Sequence, residues 1–443
     1  MKRIVNAFLD DPNRGMRACA AFVLCATTAI ALPAQTFTTL HSFDYHTDGC
    51  CLMYGLVQAS NGNLYGTTEA GGANVDGTVF KITPTGRLTT LHNFLWTDGA
   101  FANGLVQAAD GNLYGTAQEG GAYGYGTAFK ITPEGTLTTL HNFDGTDGNG
   151  PYFGLVQAAS GDLYGTTSGG GANNNALCSP LSGLAGCGTV FKITPSGTLT
   201  TLYNFCSQIG CTDGAAPFAG LVQATNGDFY GTTGGGGVNG AGTVFKITPS
   251  GSLTTLYSFC CADGSRPYAG LVQGTDGNLY GTTLFGGATT VSSGCSSPSG
   301  CGTVFKITPS GSLTTLYNFC SETGCADGWY PYAGLIQDTN GTFYGTTEGG
   351  GAANAGTVFS LSVGLGPFVE TLRTYGTVGA VEILGTDLTG ATSVSFNGTA
   401  AAFTVVAPSL ITATVPVGAS SGTVQVVTPS GTLSSNVPFR VLP

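Results

Sequence analysis

Charge is scarce in this sequence. Asp, Glu, Lys and Arg together supply 8% of 443 residues, with only 13 Lys and Arg, 4 His and 2 Trp. The few cations are scattered, so no surface tracks a phosphate backbone, and nucleic acid is not an expected partner. H-E-x-x-H does not occur, which removes one well-defined route to hydrolysis. No apolar run reaches the ~20 residues that span a bilayer as a helix. What is abundant is glycine, at 73 residues, beside 42% hydrophobic and 10% aromatic residues. That is too much apolar surface for a disordered glycine-rich polymer, so the chain must fold with many tight turns.

The N-terminus carries Lys2, Arg3, Arg14 and Arg17, then an apolar run from Ala18 to Leu32 and small residues ending at Ala34. This is the order of a secretory signal, so residues 1–34 are expected to be removed and the rest exported, to the medium, the bacterial surface or the periplasm. No transmembrane segment remains after that cut. The mature chain keeps 9 basic against 22 acidic groups, a net charge of −13. Of 14 cysteines, Cys19 and Cys25 leave with the signal. An even number remains, which in an exported chain reads as disulfides. Cys178 with Cys187, Cys206 with Cys211, Cys295 with Cys301 and Cys320 with Cys325 have the spacing of local loop closures, while Cys50/Cys51 and Cys260/Cys261 are adjacent pairs. Zinc is the rival reading, weakened because no CxxC pair or His-x-x-x-His accompanies them. No resident cofactor is expected.

Four short motifs recur in fixed order. GLVQA or a near copy begins at Gly55, Gly104, Gly154, Gly220, Gly270 and Gly334, and LYGTT or FYGTT carries Tyr65, Tyr114, Tyr164, Tyr230, Tyr280 and Tyr344. GTVFKI carries Phe80, Phe129, Phe191, Phe245, Phe305 and Phe359, and LTTLHNF or LTTLYNF begins at Phe37, Leu88, Leu137, Leu199, Leu253 and Leu313. Each motif is rich in β-branched and aromatic residues and bounded by glycine, so each reads as a strand. Asn-Gly and Asp-Gly dipeptides separate the first two strands, and Pro-x-Gly turns the last two. Six copies of a four-stranded meander predict an all-β chain with a six-bladed β-propeller over 35–363. The series starts with the fourth motif and ends with the third, so the N-terminal strand is expected to complete the last blade and close the ring.

The string LTTL-x-x-F, D-G, GLVQ-x-x-x-G-x-LYGTT, GTVFKITPSG resembles the GloVer (Gloeobacter/Verrucomicrobia-type) tandem repeat of bacterial exported proteins. The resemblance implies export and display but brings no established activity. From 366 to 443 the pattern changes to alternating strands such as VGAVEILGTDL and SVSFNG, the pattern of a β-sandwich. This tail resembles the IPT/TIG domain, an immunoglobulin-like spacer or interaction module.

In a meander, connections 2–3 and blade-to-blade share one face, and every retained cysteine falls there. Variable, cross-linked loops on a regular scaffold are where binding sites concentrate. The same face carries Asp48, Asp98, Asp147, Asp213, Asp263 and Asp327, one per blade-to-blade loop. They read either as ligands for a cation such as Ca2+ or a sugar, or as Asx-turns whose carboxylates bond their own backbone. Arg266, Trp96, Trp329 and Tyr330 are the remaining candidates, since an exposed aromatic stacks on a sugar ring or anchors a protein. His41, His92 and His141 share a position with Tyr203, Tyr257 and Tyr317, which asks for a large semi-polar ring and not a proton shuttle. The expected function is non-catalytic binding or scaffolding of a protein or glycan. A carbohydrate-active hydrolase or lyase using rim carboxylates is the first alternative, and a structural envelope component the second.

Overall fold

A computed structural model describes residues 39–443 except 60, 159, 176–177, 179–184, 261, 288–299, 373–374, 377–378 and 442–443. The expected secretory segment, Cys261 and Cys295 lie outside the described residues. Within them, no helix is long and apolar enough to cross a membrane.

Each copy of the repeat folds as one antiparallel sheet with strands in sequence order. In the third copy, Val156–Gln157, Leu163–Thr167, Thr189–Ile193 and Leu199–Asn204 pair in succession. The Asn-Gly turn of the first copy shows how the hairpins close. Gly62 donates to Ala59 O at 2.9 Å with φ +79, while the Asn61 side chain accepts from the Asn63 N–H at 3.1 Å. The second copy closes in the same way, Gly111 donating to Ala108 O at 2.9 Å with φ +82. Gly111 is the only left-handed residue of its turn, which is a type I turn with a glycine bulge in place of the mirror-image turn.

Neighbouring sheets bury both of their faces, which is why the LYGTT strand does not alternate: Leu163–Thr167 is buried throughout. Phe143 meets Phe191 of the next blade edge-on at 5.2 Å, and Thr166 donates across to Ala219 O at 2.8 Å. The glycine of that motif is sterically fixed, since a Cβ on Gly165 would lie 2.6 Å from the Phe191 ring. The repeated glutamines form a belt around the inner strands. Gln157 donates to Gly161 O at 3.1 Å and accepts from Ala109 N–H of the preceding blade at 3.0 Å, and Gln273 does the same with Gly277 and Thr225 at 3.1 and 3.0 Å.

Two copies depart from the pattern. The second gains Ala100–Ala102, paired along Leu113–Glu119. The sixth has three strands, Ile336–Gln337, Phe343–Thr347 and Thr357–Leu361. Its outer edge is open among the described residues: Val358 is 79% exposed, whereas its counterparts Val79, Val190 and Val244 are at 0%. The strand expected to complete it starts at Phe37, outside the described residues. The described part of that motif, 39–43, forms no strand and adds none to this sheet, so within the described residues the expected closure of the last blade is not seen. The last residue of that motif is described, and Phe43 meets Phe80 edge-on at 5.0 Å, much as Phe94 meets Phe129 at 5.2 Å.

The C-terminal residues form a sandwich of two four-stranded sheets. One orders Val369–Thr371, Ala380–Gly385, Leu410–Thr414 and Phe403–Ala407, and the other Thr399–Ala401, Ser393–Phe396, Val424–Thr428 and Gly431–Ser434. Val381, Ile383, Phe396, Ile411 and Val424 fill the space between them. This domain packs on the propeller face formed by the first hairpins. Phe368 N–H donates to Thr339 O at 2.9 Å, and the Thr339 and Thr386 hydroxyls lie 3.0 Å apart. The C-terminal domain therefore meets the near-invariant face, where hairpin tips such as Asn61, Asp110, Asn226 and Asp276 stay exposed.

Candidate binding site at the cysteine-bearing rim

The free face is built from two kinds of loop tied together. Each blade-to-blade loop bridges to the 2–3 connection of the blade it enters, at Cys50 with Ala70, Asn149 with Gly169, Ala215 with Gly235, Ser265 with Phe285 and Trp329 with Gly349. The six aspartates sit in these loops. Asp98 accepts from Leu95 N–H at 2.9 Å, Asp147 from Asp144 N–H at 3.1 Å, and Asp263 from Cys260 N–H at 2.8 Å. Their second oxygens meet the ring at the His/Tyr position of the outer strand: His92 to Asp98 at 3.1 Å, His141 to Asp147 at 2.6 Å, Tyr203 to Asp213 and Tyr317 to Asp327 at 2.8 Å, and Tyr257 to Asp263. Asp48 accepts from Asp44 N–H at 2.5 Å. These carboxylates cap turns and hold the outermost strand, away from the central axis.

The cysteines divide. Disulfides join Cys178 to Cys187, Cys206 to Cys211 and Cys320 to Cys325, and Cys301 is also disulfide-bonded. The first two lie side by side, with all four Sγ atoms within 4.8 Å of one another, the only such group of potential metal ligands among the described residues. Cys50, Cys51 and Cys260 depart from the expectation, since they are free. The Cys50 and Cys51 sulfurs are 2.7 Å apart, in hydrogen-bond contact and beyond the ~2.05 Å of a covalent bridge. The Cys51 thiol pushes that of Cys50 up to about 11.

At the axis, the residues preceding each GLVQ motif converge. Tyr152 packs against Phe218 at 5.9 Å, Phe218 against Tyr268 at 4.8 Å, and Tyr268 against Tyr332 at 5.9 Å. Tyr54 faces Phe153 at 6.1 Å, and its hydroxyl lies 2.7 Å from Asn103 Oδ1 and 2.9 Å from Tyr152 O. Gln118 Nε2 reaches Asn103 Oδ1 at 3.0 Å and the Tyr54 hydroxyl at 3.3 Å. The result is an aromatic mouth with amide and phenol groups at its floor. Phe153 is 38% and Tyr332 59% exposed, so both offer a free ring face. Burial pushes the Tyr54 phenol up to about 12, with Glu69 adding to it. Burial likewise raises Tyr152, aided by Glu119, and Tyr268, opposed by Arg266. All three stay protonated at neutral pH and act as neutral donors.

The other candidates flank this mouth. Arg266 is exposed and lies over the Phe285 ring at 5.3 Å, and Phe285 meets Tyr330 edge-on at 5.0 Å. Trp329 is 9% exposed and packs in the core between the last two blades, whereas Trp96 is 48% exposed. The Tyr54, Asn103 and Gln118 network was missed in the sequence. Its signal is a break in the repeat, since the residue before GLVQ or GLIQ is alanine in the last three copies but Tyr54 and Asn103 in the first two.

The profile of the Gloeobacter/Verrucomicrobia repeat matches residues 26–178 and 179–404, and that of the IPT/TIG domain matches 369–441. No curated protein matches this chain. Solved structures with a similar chain path include a catalytically inactive virginiamycin B lyase from Staphylococcus aureus with quinupristin, 14% identical over 82% of this chain and 94% of that one, at a TM-score of 0.42. A gluconolactonase from Xanthomonas campestris is 14% identical over 68% and 84%, at 0.39. The extracellular domain of a candidate one-component system from B. thetaiotaomicron is 13% identical over 88% of this chain and 49% of that one, at 0.43. At these values the activities named belong to those proteins alone.

Proposed function

The chain belongs to the Gloeobacter/Verrucomicrobia repeat family, and from that premise we propose that it is an exported, non-catalytic binding protein that takes a glycan at its cysteine-bearing rim. The observation that carries this reading is the aromatic mouth on the propeller face opposite the one that the C-terminal domain contacts. Sugar rings present apolar C–H faces and hydroxyl edges. Tyr332 and Phe153 offer exposed rings for the former, and the exposed Arg266 guanidinium offers donors for the latter. Supporting the non-catalytic side, the rim aspartates spend their oxygens on turn N–H groups and outer-strand rings. Rigidity favours binding as well, because the cross-linked loops lose little freedom on association.

A glycan array with the secreted protein, followed by titration of each hit, tests the proposal. Tyr332→Ala is expected to weaken binding by about tenfold, the size of one lost stacking contact. Turnover of a polysaccharide that disappears on replacing a single rim carboxylate would instead establish the enzyme.

A further inference from the structure

At the end of the axis opposite the aromatic mouth, the inner strands of blades two to five and the C-terminal domain line a half-open chamber of about 670 Å3. This falls within the size that a single small ligand fills, about 300 to 1,000 Å3. Val106, Val156 and Val222 form its propeller wall, and Val437 and Pro438 its floor. The glutamines that also line it are committed to the belt: Gln157 and Gln273 each use their amide as both donor and acceptor within the protein. They present a satisfied surface. Arg440 is the one cation on the lining, and its guanidinium makes no hydrogen bond or ion pair with a described residue. A lone guanidinium beside an apolar wall, in a chain with a formal net charge of −11, is best met by an anion that brings its own apolar surface.

We propose that this chamber binds a small amphiphile bearing one carboxylate, its chain against the valines and its head in the fork of Arg440. The site is separate from the rim, and the two readings stand or fall independently. Octanoate titrated calorimetrically into the full chain is the probe, with octan-1-ol and octylamine as comparators of equal chain length. Saturable binding of octanoate, at least about tenfold tighter than octan-1-ol, is expected, since a charge-assisted contact is worth that much. Arg440→Gln should bring octanoate down to the level of octan-1-ol. Val222→Trp should fill the chamber and weaken both by about tenfold or more, with Val156→Phe as the second variant if the first does not fold by thermal melting. Equal binding of octanoate and octan-1-ol by the unmodified protein, no binding of either, or an Arg440→Gln protein that still prefers octanoate would each overturn the proposal.

Discussion

Asp213 is fully buried and accepts from the Tyr203 hydroxyl at 2.8 Å and from Ser207 N–H at 2.9 Å. Removing the carboxylate strands both donors, so Asp213→Ala is expected to cost about 1 to 3 kcal/mol in thermal unfolding. If the carboxylates act as turn caps, millimolar calcium leaves the melting temperature unchanged. A calcium shift that vanishes in Asp263→Asn would reinstate the cation reading. Acid gives a second measure of the same turns. Burial alone would raise the Asp327 carboxyl, but the Tyr317 hydroxyl and the N–H groups of Ser321 and Glu322 outweigh it and hold the group below its ordinary value. A carboxyl depressed on folding stabilises fully above its unfolded pKa, and that contribution is lost as pH falls through the folded value. Stability should therefore decline below about pH 4, and Asp327→Asn should flatten this limb of a melting-temperature profile. The sequence shows that His and Tyr interchange at one outer-strand position. It does not show why, because the aspartate that both rings reach is six to ten residues away across a loop.

Strands were the most legible elements, because a motif copied six times reports its periodicity and its turn chemistry together. Loops were less so. Spacing pairs Cys178 with Cys187 and Cys206 with Cys211, but only the fold sets the 2–3 connection beside the blade-to-blade loop, and so puts the four sulfurs together. The Tyr54 and Asn103 bond joins residues 49 positions apart, at a repeat position that the four other copies fill with Phe153 or alanine. Between blades, the edge-to-face phenylalanines carry the packing. Phe143 is fully buried, so Phe143→Ala should cost about 3 to 5 kcal/mol in chemical denaturation. Phe43 makes the equivalent contact with Phe80 but is only half-buried, so Phe43→Ala should cost less. An equal loss at both positions would mean that the first blade is packed as tightly as the interior ones.

At the scale of the molecule, the tandem repeat presents two dissimilar faces, and the C-terminal domain decides between them. Its seat could not be read from the sequence, since an alternating strand pattern says which side chains enter the sandwich core and nothing about which propeller face the sandwich meets. Once seated, it meets the first-hairpin face through Phe368 and Thr386, on the side away from the disulfide-bearing loops. A recognition surface on that rim must therefore be blocked by bulk on one side only. Ile209, in the loop closed by Cys206 and Cys211, is 98% exposed, and Val417 on the C-terminal domain is 84% exposed. Neither side chain supports the core, so a polyethylene glycol chain attached through an unnatural residue at either place should leave the melting temperature within the small range of surface substitutions. Bulk at position 209 should slow or abolish capture of the glycan found on the array, and bulk at 417 should leave it intact. The reverse pattern would move the recognition face to the C-terminal domain.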